Sequence, residues 1–152
     1  MVHASVSLYQ NLKTKTVLVR VLTTHPIGAK TEIRESARIQ EAELRSRLVP
    51  EVLSALDAFG KEPYDDASSR ALDLDAKARR QHSHVDITRQ ENGAISVLPT
   101  RRTRGGSIGY DEDIVRVEPG DDVERLRAAI IDALEKAGTP KFHMSISRTR
   151  SG

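Results

Sequence analysis

His82 and His84, one residue apart, are the pair in this sequence whose type and spacing most suggest chemistry. On a strand they would share a face with their imidazoles about 6.5–7 Å apart, a gap that a metal ion can bridge. No third ligand lies near them in sequence, and polar residues are ordinary where a helix gives way to a strand. The pair is therefore expected to be structural, with no metal bound. Asp73 with Asp75, and Asp111 with Asp113, could act as paired carboxylates in proton transfer, but acidic pairs are common in turns and on helix faces. The chain contains no Cys, which removes thiolate nucleophiles, disulfides and cysteine-ligated zinc. No Ser has the local context of a nucleophile elbow.

The run RTRGGSIGYDED places Arg101, Arg102 and Arg104 ahead of Gly105, Gly106 and Gly109. Arginines and glycines together suggest a phosphate-binding loop. The Walker spacing and its Lys are absent, however, and the loop leads into a strand where a dinucleotide fingerprint needs a helix N-terminus. No cofactor is expected. Acidic residues follow at once: Asp111, Glu112, Asp113, Glu118, Asp121, Asp122 and Glu124, relieved only by Arg116. A helix N-terminus favours acids and accounts for the last three. Asp111 to Asp113, beside a glycine-rich loop, are better suited to attracting a basic partner, such as the active-site groove of a nuclease.

The elements that would position these residues come from 152 residues, long enough for one domain with a real core. An apolar share of 38% against 30% charged residues fits a globular rather than a disordered chain. Aromatic residues are only 3%, too few for base-stacking platforms. The net charge of +2 gives no general field for nucleic acid. The opening residues show no basic segment leading into an apolar one, and no run approaches a membrane span, so the expected location is the cytoplasm.

Alternation predicts an edge strand over 2–9, with Val6 and Leu8 on one face and Ser5, Ser7 and Tyr9 on the other. The run TVLVRVLT over 16–23 predicts a strand buried on both faces except at Arg20. Ile33, Ala37, Leu44 and Leu48 suggest a helix over 31–49, and Pro50 a second helix that it begins and Gly60 ends. Asp65 or Asp66 would cap a third helix reaching Arg80. Val85 with Ile87, the Asn92-Gly93 turn, and Ile95 with Val97 predict a hairpin. Residues 99–109 then form a charged loop, and Ile114 opens another strand. Asp121 or Asp122 caps the last helix, Glu124 standing three residues after Asp121 as in a capping box; Val123, Leu126, Ala129, Ile130, Ala133, Leu134 and Ala137 form its apolar stripe and Gly138 ends it. Phe142, Met144 and Ile146 suggest a terminal strand, followed by a flexible basic tail.

Residues 93–137 resemble the immunity proteins of bacterial contact-dependent growth inhibition (CDI) systems. The likeness lies in Val97, Leu98, Pro99 and Thr100 at a strand end, the glycine loop, the strand opened by Asp111, Asp113, Ile114 and Val115, and a helix with Ala128, Ala129, Ala133 and Leu134. The strand KTVLVRV and the chain length add to it. The resemblance implies a non-enzymatic protein that binds the toxin domain delivered by a neighbouring cell, commonly a nuclease, and blocks its active site.

The expectation is thus an α+β domain over 1–146, with a mixed, largely antiparallel sheet, helices mainly on one side, and a tail over 147–152. Partner contacts would come from Arg101, Arg102, Arg104, Tyr110, Asp111, Glu112, Asp113, Asp121 and Asp122. The competing reading is a nucleic-acid-binding or regulatory module that uses Arg79, Arg80, Arg101, Arg102 and Arg104.

Overall fold

Valines and leucines at alternate positions give the first two strands one continuous apolar face, and the sheet grows around them. The computed structural model describes residues 3–103, 106–139 and 142. Its strands are β1 (Ala4–Asn11), β2 (Val17–Thr24), β3 (Lys30–Ile39), β4 (His82–Arg89), β5 (Ile95–Thr103), β6 (Gly106–Ile108) and β7 (Val115–Val117). The helices are α1 (Leu44–Ala58), α2 (Asp66–Ala71), α3 (Ala76–Arg80) and α4 (Val123–Ala137). Strands run in the order β3-β2-β1-β4-β5, and every described pairing is antiparallel. The outer edge of β5 is shared: β7 pairs with Ile95 to Val97, and β6 with Arg101 to Thr103. This is an α+β fold.

One face of the sheet carries Val6 and Leu8 of β1, Val19 and Val21 of β2, Val85 and Ile87 of β4, and Val97 of β5. Leu48, Val52 and Leu56 of α1 and Leu126, Ile130 and Leu134 of α4 close over them in one buried cluster. Few aromatics are needed because branched aliphatic side chains fill the layer between helices and sheet. The Asn92-Gly93 turn forms as expected. Gln90 N–H donates to Ala94 O at 2.9 Å, Gly93 N–H donates to Gln90 O at 2.9 Å, and Gly93 takes φ +89°. Gly60 likewise ends α1 with φ +72°.

Several local expectations are corrected. β1 is not an edge strand; it lies between β2 and β4, and Ser5, Ser7 and Tyr9 are buried. The first expected helix is strand β3 followed by α1. A four-residue spacing such as Ile33 to Ala37 is even, so it keeps side chains on one face of a strand as well as of a helix. Two register shifts against β2 further blur the alternation in β3, as suits a strand at the sheet edge. Pro50 lies inside α1 rather than at its start. The third helix is two: Asp65 caps α2, and Asp75 caps α3 by accepting from Ala78 N–H at 2.7 Å.

The expected loop over 99–109 is largely strand. β5 continues through Thr103 and β6 returns beside it. Pro99 is tolerated because it falls between the stretches that pair with β7 and β6, where its missing N–H interrupts no ladder on that edge. Of the two expected caps Asp122 serves, no Asp121–Glu124 box forms, and Val123 of the expected stripe is exposed. Asp122 caps α4 by accepting from Arg125 N–H at 2.9 Å, Asp121 accepts from Glu118 N–H at 2.9 Å, and Glu124 pairs with Arg127. Phe142 is buried and helical; Met144, Ile146 and the tail over 147–152 lie outside the described residues.

Gly109 brings the chain after β6 back across β5. A Cβ there would stand 2.8 Å from Pro99 O and 3.3 Å from Leu98 Cδ1. Gly109→Ala should cost about 1–3 kcal/mol in urea denaturation. Gly120→Ala, where nothing stands within 4 Å, should stay within about 0.5 kcal/mol of the parent.

Candidate functional site

Every second residue of the central strands points away from the helices, and here those residues are polar. Antiparallel register sets them in three rungs across β1, β4 and β5: Ser5, Thr88 and Ser96; Ser7, Asp86 and Leu98; Tyr9, His84 and Thr100. Arg20 of β2 lies opposite Ser7, and Glu32 of β3 opposite Leu22. A sheet face this polar is expected to be wet, yet Tyr9 is 1%, Arg20 5% and His84 2% exposed.

Such burial requires partners, and a connected network provides them. Arg20 Nη1 donates to Glu32 Oε1 at 3.0 Å and to Leu72 O, after α2, at 3.0 Å. Its Nε stands 3.4 Å from Glu35 Oε1. The Tyr9 hydroxyl donates to Glu32 Oε2 and accepts from Arg102 Nε at 3.2 Å. The Tyr9 ring lies under the Arg20 guanidinium at 5.3 Å and against the His84 imidazole at 4.6 Å between centroids. Burial, then the charge of Glu32 and its hydrogen bond, raise the Tyr9 pKa, so the hydroxyl keeps its proton and stays a donor.

Beside this network opens a cleft of about 420 Å³, lined by residues including Ser5, Ser7, Lys30, Glu32, Asp73, His84, Asp86, Leu98, Arg102 and Ile114. Lys30 Nζ donates to Ser5 Oγ at 2.7 Å, and Ser7 Oγ donates to Asp86 Oδ1 at 3.4 Å. Burial lowers the Lys30 pKa, with Asp86 opposing. Burial also lowers that of His84 against the pull of Asp86, which keeps the imidazole neutral. Chemically, the cleft is a mixed-charge, hydrogen-bonding socket with apolar walls, suited to holding a polar group.

The residues expected from sequence to meet a partner separate into distinct roles. Arg102 belongs to the buried network, whereas Arg101 is half-buried on β5 opposite Ile108. Arg104 lies outside the described residues. Tyr110 packs against the small cluster of Ala137 and Phe142. Asp113 is tied to Lys136 of α4, and Asp121 and Asp122 serve the α4 N-terminus. Asp111 and Glu112 stand exposed on a short turn just before Ile114, which lines the cleft.

Of the basic residues of the nucleic-acid reading, Arg79 and Arg102 line a second, smaller cleft together with Tyr9, Glu32 and Asp73. Arg79 donates to Leu74 O at 2.7 Å, and Arg102 is committed to Tyr9. His82 Nδ1 lies 2.8 Å from Ala78 O, and no group of three metal-ligating side chains occurs among the described residues. Ser107 sits within β6, not at a strand-to-helix turn. Sequence reasoning missed Ser5, Ser7, Tyr9, Arg20 and Glu32 as site residues. The available signal was Arg20 itself, a charge inside an otherwise apolar strand.

No protein-family profile matches the chain, and no curated protein matches its sequence. Solved structures do share its fold. A protein of unknown function from Neisseria meningitidis, NMB0488, superposes with a TM-score of 0.64 at 14% identity, covering 89% of this chain and 95% of that one. A chain of the CdiA-CT/CdiI toxin and immunity complex from Yersinia pseudotuberculosis superposes with a TM-score of 0.58 at 14% identity, covering 91% of this chain and 99% of that one. The fold over nearly its full length is therefore one that occurs in a toxin–immunity complex.

Two outcomes test the network. Glu32→Ala removes the carboxylate that the Arg20 guanidinium and the Tyr9 hydroxyl share, and should destabilise the fold by about 3–5 kcal/mol in urea denaturation. Arg70→Ala, which removes an exposed pair with Asp66, should cost less than about 1 kcal/mol. His84 has a folded pKa below its unfolded value of 6.5, so its contribution is fully present above that value and is lost as pH falls through it. Denaturation midpoints should therefore fall as the pH is lowered from 7 to 5.

Proposed function

We propose that this chain is an immunity protein: it binds a cognate CDI toxin domain one-to-one and neutralises it by covering its active site. The observation that carries this reading is the fold shared, over 91% of this chain, with a chain of the CdiA-CT/CdiI complex. The resemblance of residues 93–137 to immunity proteins points the same way, although it rests on a different kind of likeness. The reading assigns no catalysis and no cofactor to the chain, places it in the cytoplasm, and makes the toxin a nuclease.

The toxin is proposed to meet the open sheet face. Arg102 lies inside the cleft, and Ile114 joins the cleft wall to the turn that carries Asp111 and Glu112. Exposed carboxylates at the rim would speed encounter with a basic nuclease groove, while the cleft supplies shape and hydrogen bonding. Asp113, Asp121 and Asp122 contribute to the fold in this scheme rather than to contact.

Purified chain should form a one-to-one complex with the toxin domain encoded immediately upstream of its gene and abolish that domain's nuclease activity at equimolar ratio. Asp111→Lys with Glu112→Lys should slow association by roughly tenfold and weaken its salt dependence. Failure of the unsubstituted chain to bind or inhibit that domain would sink the reading.

A further inference from the structure

The chain between α1 and β4 crosses the polar face without an apolar anchor. None of residues 61–80, every one of them described, is buried. At six and five residues, α2 and α3 are too short to hold their shape in water unaided. Leu72 and Leu74, partly buried, are the only large aliphatic side chains in the segment. Much of what lies beneath is space. Ser69 and Asp73 line the cleft of about 420 Å³, and Leu72, Asp73, Leu74 and Arg79 line the smaller one of about 200 Å³. Leu74 also borders a third, of about 430 Å³, beside Arg20 and His82. The first two share Glu32, Asp73 and Arg102, so the segment is the partition between them.

Polar contacts hold the segment down. Arg20 Nη1 donates to Leu72 O at 3.0 Å, and the hydroxyls of Thr31 and Ser69 share a hydrogen bond of 3.0 Å. Water replaces both on separation, so each contributes little net. Arg20 keeps Glu32 and Glu35 when the Leu72 carbonyl leaves, and its charge is not stranded. The ends are tied to strands: Thr23 Oγ1 donates to Glu62 O at 2.7 Å, and Leu12 N–H donates to Gln81 O at 2.9 Å. Local opening costs least where backbone is exposed and apolar contact is sparse, and this segment meets both conditions.

We propose that residues 63–80 form a strap that lifts off the sheet as one unit, hinged at Glu62 and Gln81. Lifting joins the clefts into a single groove floored by Tyr9, Arg20 and Glu32. Under the immunity reading, on which this use of the strap rests, the lifted form admits the toxin. The opening itself is a property of the chain alone.

Hydrogen exchange followed by NMR on the unsubstituted protein reads the opening. The amides of Ser69, Leu72 and Arg79 are each bonded within the segment. They should exchange about 100-fold faster than amides of β1 and β4, with one common protection factor. The Arg20 Nε–H, buried beneath Leu72, should share that protection, which fraying of short helices would not produce. Thr31→Cys with Ser69→Cys puts a single disulfide across the strap, since the chain has no cysteine of its own. Oxidation should slow all four sites by about tenfold, and a reductant should restore them. If the bridge does not close, the common protection in the unsubstituted protein decides. Strap amides as protected as the central strands, protection that differs between α2 and α3, or exchange unmoved by the closed disulfide would each overturn the strap. The toxin domain should associate about tenfold more slowly with the oxidised form than with the reduced one. Equal rates would overturn the gating. A toxin that binds neither form, with the strap still opening, overturns the immunity reading and leaves the strap standing.

Discussion

The Arg20 guanidinium, buried near the middle of the sheet, sets the terms for much of this structure. A charge at that depth is tolerable only if its partners are held in place, and these come from three parts of the chain: Glu32 and Glu35 on β3, the Leu72 carbonyl after α2, and the face of the Tyr9 ring. Glu32 is shared with Tyr9, and Tyr9 with Arg102 on β5. The constraint therefore runs across the sheet from β3 to β5. It also anchors the segment after α2 against a face that the two long helices do not cover.

Sheet geometry turns that constraint into a functional surface. Alternation sends the aliphatic residues of β1, β2, β4 and β5 toward α1 and α4, where burial of apolar area supplies most of the stability. The intervening residues must face the other way, and in this chain they form a hydrogen-bonded polar floor beside a cleft. Rigid strands hold the floor, so its hydroxyls, carboxylates and imidazole are positioned before any partner arrives. The exposed turn at Asp111 and Glu112 adds charge at its margin. The shared fold with a chain of a toxin–immunity complex gives this surface its proposed use.

How much of this was readable in the sequence depended on whether local and tertiary preferences agreed. Helix α4, the Asn92-Gly93 hairpin and the Gly60 cap were legible because periodicity, capping and positive φ each specify them locally. β3 was not, since its even apolar spacing satisfies a helix and a strand alike and only pairing with β2 decides. β1 was recognised as a strand but placed at the edge, because Ser5, Ser7 and Tyr9 look wet until β4 and β2 enclose them. The acidic stretch after residue 110 was conspicuous, yet Asp113, Asp121 and Asp122 are engaged in the fold, while the cleft draws on residues from five strands that no local window joins. Arg20, read as an exception in an apolar strand, was in fact the clue to the polar face.

The central claim is that this polar face, not the helical one, meets the partner. Backbone chemical-shift mapping of the chain on addition of the upstream-encoded toxin domain tests it most directly. The account predicts perturbations concentrated on Ser5, Ser7, His84, Asp86, Leu98 and the turn at Asp111 and Glu112, with α1 and the outer face of α4 quiet. Perturbations confined to α1 and α4, with the cleft residues unmoved in a saturated complex, would contradict it.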